Sequence, residues 1–199
     1  MIIAVEGIDG AGKRTIVQAI QREYGARTFA FPRYEESIHA QLAQQALHGK
    51  MGDLTDSIYG MATMFALDRY GAKAQIAEYA ETGVLVLDRY VASNAAYSWA
   101  RSGETAIVDW VAELEFGQLG LPVPDLQVLV DTPPAVAQER AVKRAAADEA
   151  RARDRYERDA SLQQATYEAY VALAEQGWAS RWLRTTDAGT IMQAVEAVR

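Results

Sequence analysis

The first fifteen residues constrain the fold more than any other stretch. Ile2 to Val5 is an apolar run suited to a short buried strand, and it leads into Gly7-Ile-Asp-Gly-Ala-Gly12-Lys13. Gly-x4-Gly-Lys is the spacing of a phosphate-binding P-loop. The glycines let the backbone curl so that successive N–H groups point inward at an oxyanion. Lys13 adds a mobile positive charge, and Thr15 to Ile20 predicts a helix whose positive end faces the same anion. Gly7, Ile8, Asp9, Gly10, Ala11, Gly12, Lys13, Arg14 and Thr15 are therefore expected to hold a nucleoside triphosphate or a similar polyphosphate. One position departs from the pattern: Arg14 stands where Ser or Thr usually follows the Lys, and Thr15 comes one residue late.

The composition of the whole chain bounds the class of protein and of ligand. A chain of 199 residues, 50% hydrophobic and 24% charged, is expected to form a single α/β domain over 1–199 with a real core. The absence of Cys excludes a disulfide framework and a Cys-based metal site. No export signal or membrane-length apolar run is visible, so cytoplasmic localisation without a membrane partner is expected. A net charge of −7 disfavours a long groove for a nucleic-acid polymer. Small phosphorylated ligands gripped by a few local Arg residues remain compatible.

Strand-like and helical stretches alternate, the order that yields a parallel sheet with helices on both faces. Strands are expected at 2–5, 28–31, 84–87, 126–130 and 181–184, giving a five-stranded, three-layer α/β/α architecture. Helices are expected at 35–48, from Leu54 to about Tyr79 with Asp53 as cap, at 91–101 and 105–119, from Pro134, at 154–176, and at 188–199. Ligands of such sheets bind beyond the carboxyl ends of the strands.

Four constellations lie at or beyond those ends. Arg33, after Pro32, is placed for a bidentate grip on phosphate, or is an ordinary surface Arg. Phe65 and Arg69, four apart on a helix, share a face. They could hold a nucleobase, although spacing alone favours a core Phe and an ion-paired Arg. Asp88 ends an apolar strand, where P-loop enzymes place a carboxylate that organises Mg²⁺, and Arg89 would then sit beside phosphates. Asn94 and Tyr97 share a face of the following helix. Asn offers donor and acceptor for a base, and Tyr a ring against a sugar. Seven of the chain's 20 basic residues, Arg140, Lys143, Arg144, Arg151, Arg153, Arg155 and Arg158, fall within 140–158. That stretch is either a lid closing at about 144–153 or a solvated helix.

Taken in order, Gly7-Ile-Asp-Gly-Ala-Gly-Lys13, Phe31-Pro-Arg-Tyr34, Phe65-Ala-Leu-Asp-Arg69, Asp88-Arg-Tyr-x-x-Ser-Asn-x-Ala-Tyr-Ser98, Pro124-Asp125 and Arg153-Asp-Arg-Tyr-Glu157 resemble the thymidylate kinases over nearly the whole chain. The resemblance implies a P-loop nucleoside monophosphate kinase fold and transfer of the γ-phosphoryl group of ATP to dTMP with Mg²⁺, giving dTDP and ADP. It implies that Lys13 and the loop hold the donor phosphates, with Arg140 and Arg144 beside them as lid residues. Arg33 and Arg89 would grip the acceptor phosphate and the group in flight. Phe65 would stack on thymine, with Arg69 and Asn94 on its edge, while Tyr97 would disfavour ribonucleotides. Tyr34, Ser98, Asp154 and Tyr156 fall in the motifs of the acceptor side. Lys13, Arg89, Asp9, Arg14 and Arg144 would form the catalytic set. Without a hydroxyl after Lys13, the metal is expected to shift to Asp9 and Glu157, with Arg14 supplying nearby charge. The loop lacks an Arg at 8–11 and the 140–158 segment is basic, which resembles the branch with an Arg-bearing lid. The family also implies a homodimer, with Tyr59 and 105–119 at its interface. The alternatives are a kinase of another nucleoside monophosphate or of a deoxynucleoside, and a nucleotide-binding switch or assembly protein. Absence of an Asn-Lys-x-Asp motif disfavours a guanine-reading switch.

Overall fold

The computed structural model describes residues 1–147 and 155–199, with backbone alone at 144–147 and at 157. Its five strands are β1 (Ile2–Glu6), β2 (Arg27–Ala30), β3 (Leu85–Asp88), β4 (Leu126–Val130) and β5 (Trp182–Thr185). They form one parallel sheet in the order β2-β3-β1-β4-β5. Every residue of β1 and β4 is buried, so helices must cover both faces of the sheet centre. β2, at the edge, is largely exposed. The expected five-stranded parallel sheet is thus observed, each strand within one residue of its expected place at either end.

The helices are α1 (Lys13–Tyr24), α2 (Ile38–Leu47), α3 (Ile58–Gly71), α4 (Lys73–Thr82), α5 (Val91–Ser102), α6 (Ala106–Ala112), α7 (Pro134–Ala147), α8 (Arg155–Arg158), α9 (Ala160–Glu175) and α10 (Ala188–Val198). α6 runs on into a π-helical turn at Glu113–Gln118. The main core joins the sheet to α1, α5, α9 and α10, with Ile3, Leu87, Leu129, Tyr90 and Tyr170 fully buried. Each such aliphatic side chain contributes about 1.5–3 kcal/mol by leaving water. No helix among the described residues is long and apolar enough to cross a membrane.

Two expected helices start late or break where local chemistry favours a stop. The helix expected from Leu54 begins at Ile58. Ser57, in extended conformation, caps it by accepting from the Gly60 N–H at 3.0 Å, while Asp53 is spent in the preceding turn. The same helix divides at Gly71-Ala72, where the Ala72 N–H bonds back to Arg69. A side chain at Gly71 would come within 3.0 Å of the Arg33 guanidinium. The helix expected over 154–176 is interrupted at Asp159, which caps α9 through the Leu162 N–H at 3.0 Å.

The register determines where ligands can meet. Val5 lies opposite Asp88, so the loop after β1 and the segment after β3 leave the sheet side by side. The strand order reverses beside β1, the crevice where open α/β sheets bind ligands.

Candidate functional site

The loop between β1 and α1 is shaped by positions that only glycine suits. Gly10 has φ +81°, and a Cβ there would lie 2.0 Å from the Ala137 carbonyl oxygen of α7. Thr132, after β4, ties the loop down by donating to the Ala11 carbonyl at 2.8 Å. Lys13 opens α1 and is folded onto its own loop, donating to the carbonyls of Gly7 at 3.0 Å and Ile8 at 3.1 Å. Burial and the neighbouring Arg89 guanidinium lower its ammonium to about 8, against the pull of Asp9, Asp88 and Glu6. A phosphate arriving in the loop would replace those carbonyls as partner. The cleft outside the loop, about 390 Å³, is lined by Asp9, Gly10, Gly12, Lys13, Arg14, Asp88, Arg89 and Arg140 among others. Thr15 is exposed on α1 and is not part of that lining, because the turn that brings Arg14 to the cleft carries the next side chain away.

A second cavity, about 300 Å³, opens on the other side of Asp9 and Arg89. Phe31, Pro32, Tyr34, Leu47, Phe65 and Tyr156 give it apolar walls, and Arg69, Ser93, Asn94 and Tyr97 bring polar atoms to it. Asp9, Phe31 and Arg89 line both spaces, so two ligands can meet there end to end.

Arg89 is held in a left-handed conformation, φ +66°, that a non-glycine residue adopts only when its surroundings enforce it. Its guanidinium donates to Asp9 Oδ1 at 2.7 Å and lies 5.4 Å over the Tyr97 ring. Burial pushes the Asp9 carboxyl up, but Arg89 and Lys13 outweigh it and hold the group at about 2. Asp9 is therefore a carboxylate at any working pH. Its other oxygen accepts from the Tyr97 hydroxyl at 3.1 Å. Tyr97 is stacked on Tyr156 at 6.3 Å between ring centroids. Burial and the Asp9 charge keep its phenol protonated.

At the far end of this cavity Arg69 and Asn94 converge on a residue that the motifs do not contain. Glu115, fully buried on the π-helical turn, accepts from Arg69 Nε at 2.5 Å and Nη2 at 2.7 Å. Asn94 Nδ2 donates to Glu115 Oε1 at 2.7 Å and to the Ala62 carbonyl at 3.0 Å. Both partners are acceptors, so the amide nitrogen must face them and Oδ1 is left toward the cavity. The ion pair expected from spacing alone is present, and it leaves Arg69 Nη1 free of hydrogen bonds among the described residues. The cavity thus presents a donor beside an acceptor, above the partly buried Phe65 ring.

Several expected site residues stand elsewhere. Arg33 is turned to Asp68, donating from its backbone N at 2.9 Å, from Nε at 3.0 Å and from Nη2 to the carbonyl at 2.6 Å, and it does not line the cavity. Ser98 is buried on α5 a full turn beyond Asn94, outside the lining. Asp154, Arg151, Arg153 and the rest of the lid expected at 144–153, with the side chains of Arg144 and Glu157, lie outside the described residues. Among the described residues no cluster of three or more His, Cys, Asp or Glu gathers as a metal cage. Asp9 and Asp88 do face the donor cleft. Two carboxylates with substrate phosphates and water are the usual set for Mg²⁺, so this donor set fits that ion.

The model of the family described as thymidylate kinase matches residues 5–195. The thymidylate kinase of Mycobacterium tuberculosis is 53% identical over 192 residues, covering 92% of this chain and 90% of that protein. The chain belongs to the thymidylate kinase family. As a member it is an ATP-dependent phosphotransferase acting on dTMP. Solved structures share its fold. The thymidylate kinase of Candida albicans superposes with a TM-score of 0.73 at 19% identity, over 98% of this chain and 91% of that one. The deoxyadenosine kinase of M. mycoides, solved with bound dATP, superposes with a TM-score of 0.67 at 17% identity, over 99% and 98%. Beyond the thymidylate kinase motifs, sequence reasoning missed Glu115 and Glu6, and it gave no role to Ser93 within them. A signal existed for Glu6, a charged residue directly after a wholly apolar strand; nothing marked Glu115 before its partners were in place.

Proposed function

We propose that this thymidylate kinase reads thymine through the Arg69–Glu115–Asn94 group and transfers phosphate across the Asp9–Arg89 junction. The observation that carries the reading is the fixed Asn94 amide. Its Oδ1 accepts from thymine N3–H, and Arg69 Nη1 donates to O4. Cytosine presents an acceptor and a donor at those positions, the opposite pattern. Phe65 supports the base plane, and Tyr97 occupies the space a ribose 2′-hydroxyl would need. The acceptor phosphate then lies at Arg89, with Arg33 released from Asp68 to join it.

The donor phosphates lie in the Gly7–Lys13 loop, with Arg14 and Arg140 along the cleft. Phosphoryl transfer between two ionised phosphates needs positive charge and alignment more than a base. Lys13 leaves the Gly7 and Ile8 carbonyls for the donor, and Arg89 spans donor and acceptor. Asp9 and Asp88 are the carboxylates proposed to hold Mg²⁺, which when bound neutralises charge on the donor phosphates. We further propose that the chain acts in the cytoplasm as one catalytic unit and pairs as a homodimer. The exposed Tyr59, packed edge-on to Trp110 at 4.7 Å, supports the pairing.

A coupled ADP-release assay against dTMP, dUMP, dCMP and UMP tests the assignment. Turnover should favour dTMP and dUMP over dCMP by at least about 100-fold in kcat/KM, should drop for UMP, and should require a divalent cation. Equal use of dTMP and dCMP contradicts the base reading, and equal use of dUMP and UMP contradicts the role of Tyr97.

A further inference from the structure

Behind Arg89, away from both cavities, lies a carboxylate with no part in substrate binding. Glu6 ends β1 with no exposed surface. Its Oε1 accepts from the Tyr90 N–H at 2.8 Å. Its Oε2 accepts from Ser93 Oγ at 2.6 Å and from the Tyr170 hydroxyl at 3.1 Å, and the two hydroxyls are 2.7 Å apart. Arg89 Nη1 approaches the same two hydroxyls, at 3.4 Å from Ser93 and 3.5 Å from Tyr170.

Proton counting fixes the direction of this network. Ser and Tyr each have one hydrogen to give, and a guanidinium can only donate. A carboxylate at the base of the network takes the hydroxyl hydrogens, directly or through the neighbouring hydroxyl, which turns the oxygen lone pairs toward Arg89. An apolar residue or an amide at position 6 would not impose that direction. The backbone is held in the same way. The Arg89 N–H bonds to the Val5 carbonyl at 2.9 Å, and the next N–H, of Tyr90, bonds to Glu6. The peptides on either side of the left-handed residue are thus both anchored at the end of β1. Such a conformation persists only where it is over-determined.

A buried carboxylate is a poor way to gain stability, because desolvation offsets most of its attractions. Burial indeed pushes the Glu6 carboxyl up, against Ser93, Arg89, Tyr90 and Tyr170. The groups bonded to it or pulling its pKa down are those four, and each either anchors Arg89 or is Arg89; the Lys13 ammonium also feels the Glu6 charge without a bond to it. We propose that Glu6 and Tyr170 are positioning residues that set the backbone conformation and guanidinium direction of Arg89 for phosphoryl transfer. The proposal rests on the placement of Arg89 against the transferred phosphate.

A double-mutant cycle in the full chain tests it. Tyr170→Phe keeps the ring and its packing. Glu6→Gln keeps the volume and removes the charge. Each should lower kcat by about 10- to 100-fold with little change in KM for dTMP, as a small misalignment of a catalytic group does. In an Arg89→Met background, measured by single-turnover phosphoryl transfer, the same substitutions should produce no further loss. Losses that multiply undiminished in that background overturn the proposal and leave the Arg89 placement standing. Arg89→Met with unchanged kcat overturns the placement and the proposal together. Should Glu6→Gln not fold, Tyr170→Phe alone decides the cycle.

Discussion

In the ligand-free chain the Lys13 ammonium titrates near pH 8, because it is buried beside Arg89 and rests on two carbonyls. Bound phosphate favours the charged form, so ATP takes up the proton that Lys13 loses above that pH. ATP affinity should be level below about pH 8 and fall above it, by up to about tenfold per pH unit. Calorimetric titration from pH 7 to 9.5 reads this directly, and a flat profile contradicts it. Lys13 and its loop were legible in the sequence because the Gly-x4-Gly-Lys spacing is itself the geometry. Arg69 was legible as a residue and only half legible in role. Its helical spacing from Phe65 predicts both a base contact and an ion pair, and the structure has the pair with Glu115 while Arg69 still lines the cavity. Glu115 itself was not legible, since its partners come from α3 and α5 and meet only in the folded chain. Arg33 was placed by its motif on a phosphate, yet the ligand-free chain pairs it with Asp68.

At the scale of elements, the P-loop is locked to α7 as well as to the sheet. Gly10 leaves no room for a Cβ against the Ala137 carbonyl, and its φ is left-handed. Gly10→Ala must therefore push the loop from α7. ATP-dependent turnover should fall by at least about 100-fold while dTMP binding at the separate cavity stays within a few fold. Retention of near-normal kcat/KM for ATP contradicts the close packing. The strands were legible because each is a short apolar run of a parallel sheet. Helix ends were less so, since several polar residues compete for each cap. Ser57 rather than Asp53 caps α3, and Asp159 divides what periodicity alone reads as one helix. The π-helical turn at Glu113–Gln118 has no periodic signature, yet it carries Glu115 to Arg69 and Asn94.

At the scale of the whole molecule, the crossing order of the sheet brings β1 and β3 together and joins two cavities at Asp9, Phe31 and Arg89. Neither Tyr59 nor Trp110 lines either cavity, so pairing is a separate question from chemistry. If Tyr59 and Trp110 form the pairing surface, light scattering should give twice the 21.9 kDa chain mass, and Tyr59→Asp should return the single mass. An unchanged dimer in that variant contradicts the surface. The central claim is that the fixed Asn94 oxygen accepts the N3–H of thymine. The most direct measurement is binding of dTMP against its N3-methyl derivative, which keeps phosphate, sugar and O4 but has no hydrogen to give. Binding of the methylated nucleotide should be weaker by at least about 100-fold in the native chain, and the gap should narrow in Asn94→Ala. Equal binding of the two nucleotides to the native chain contradicts the account.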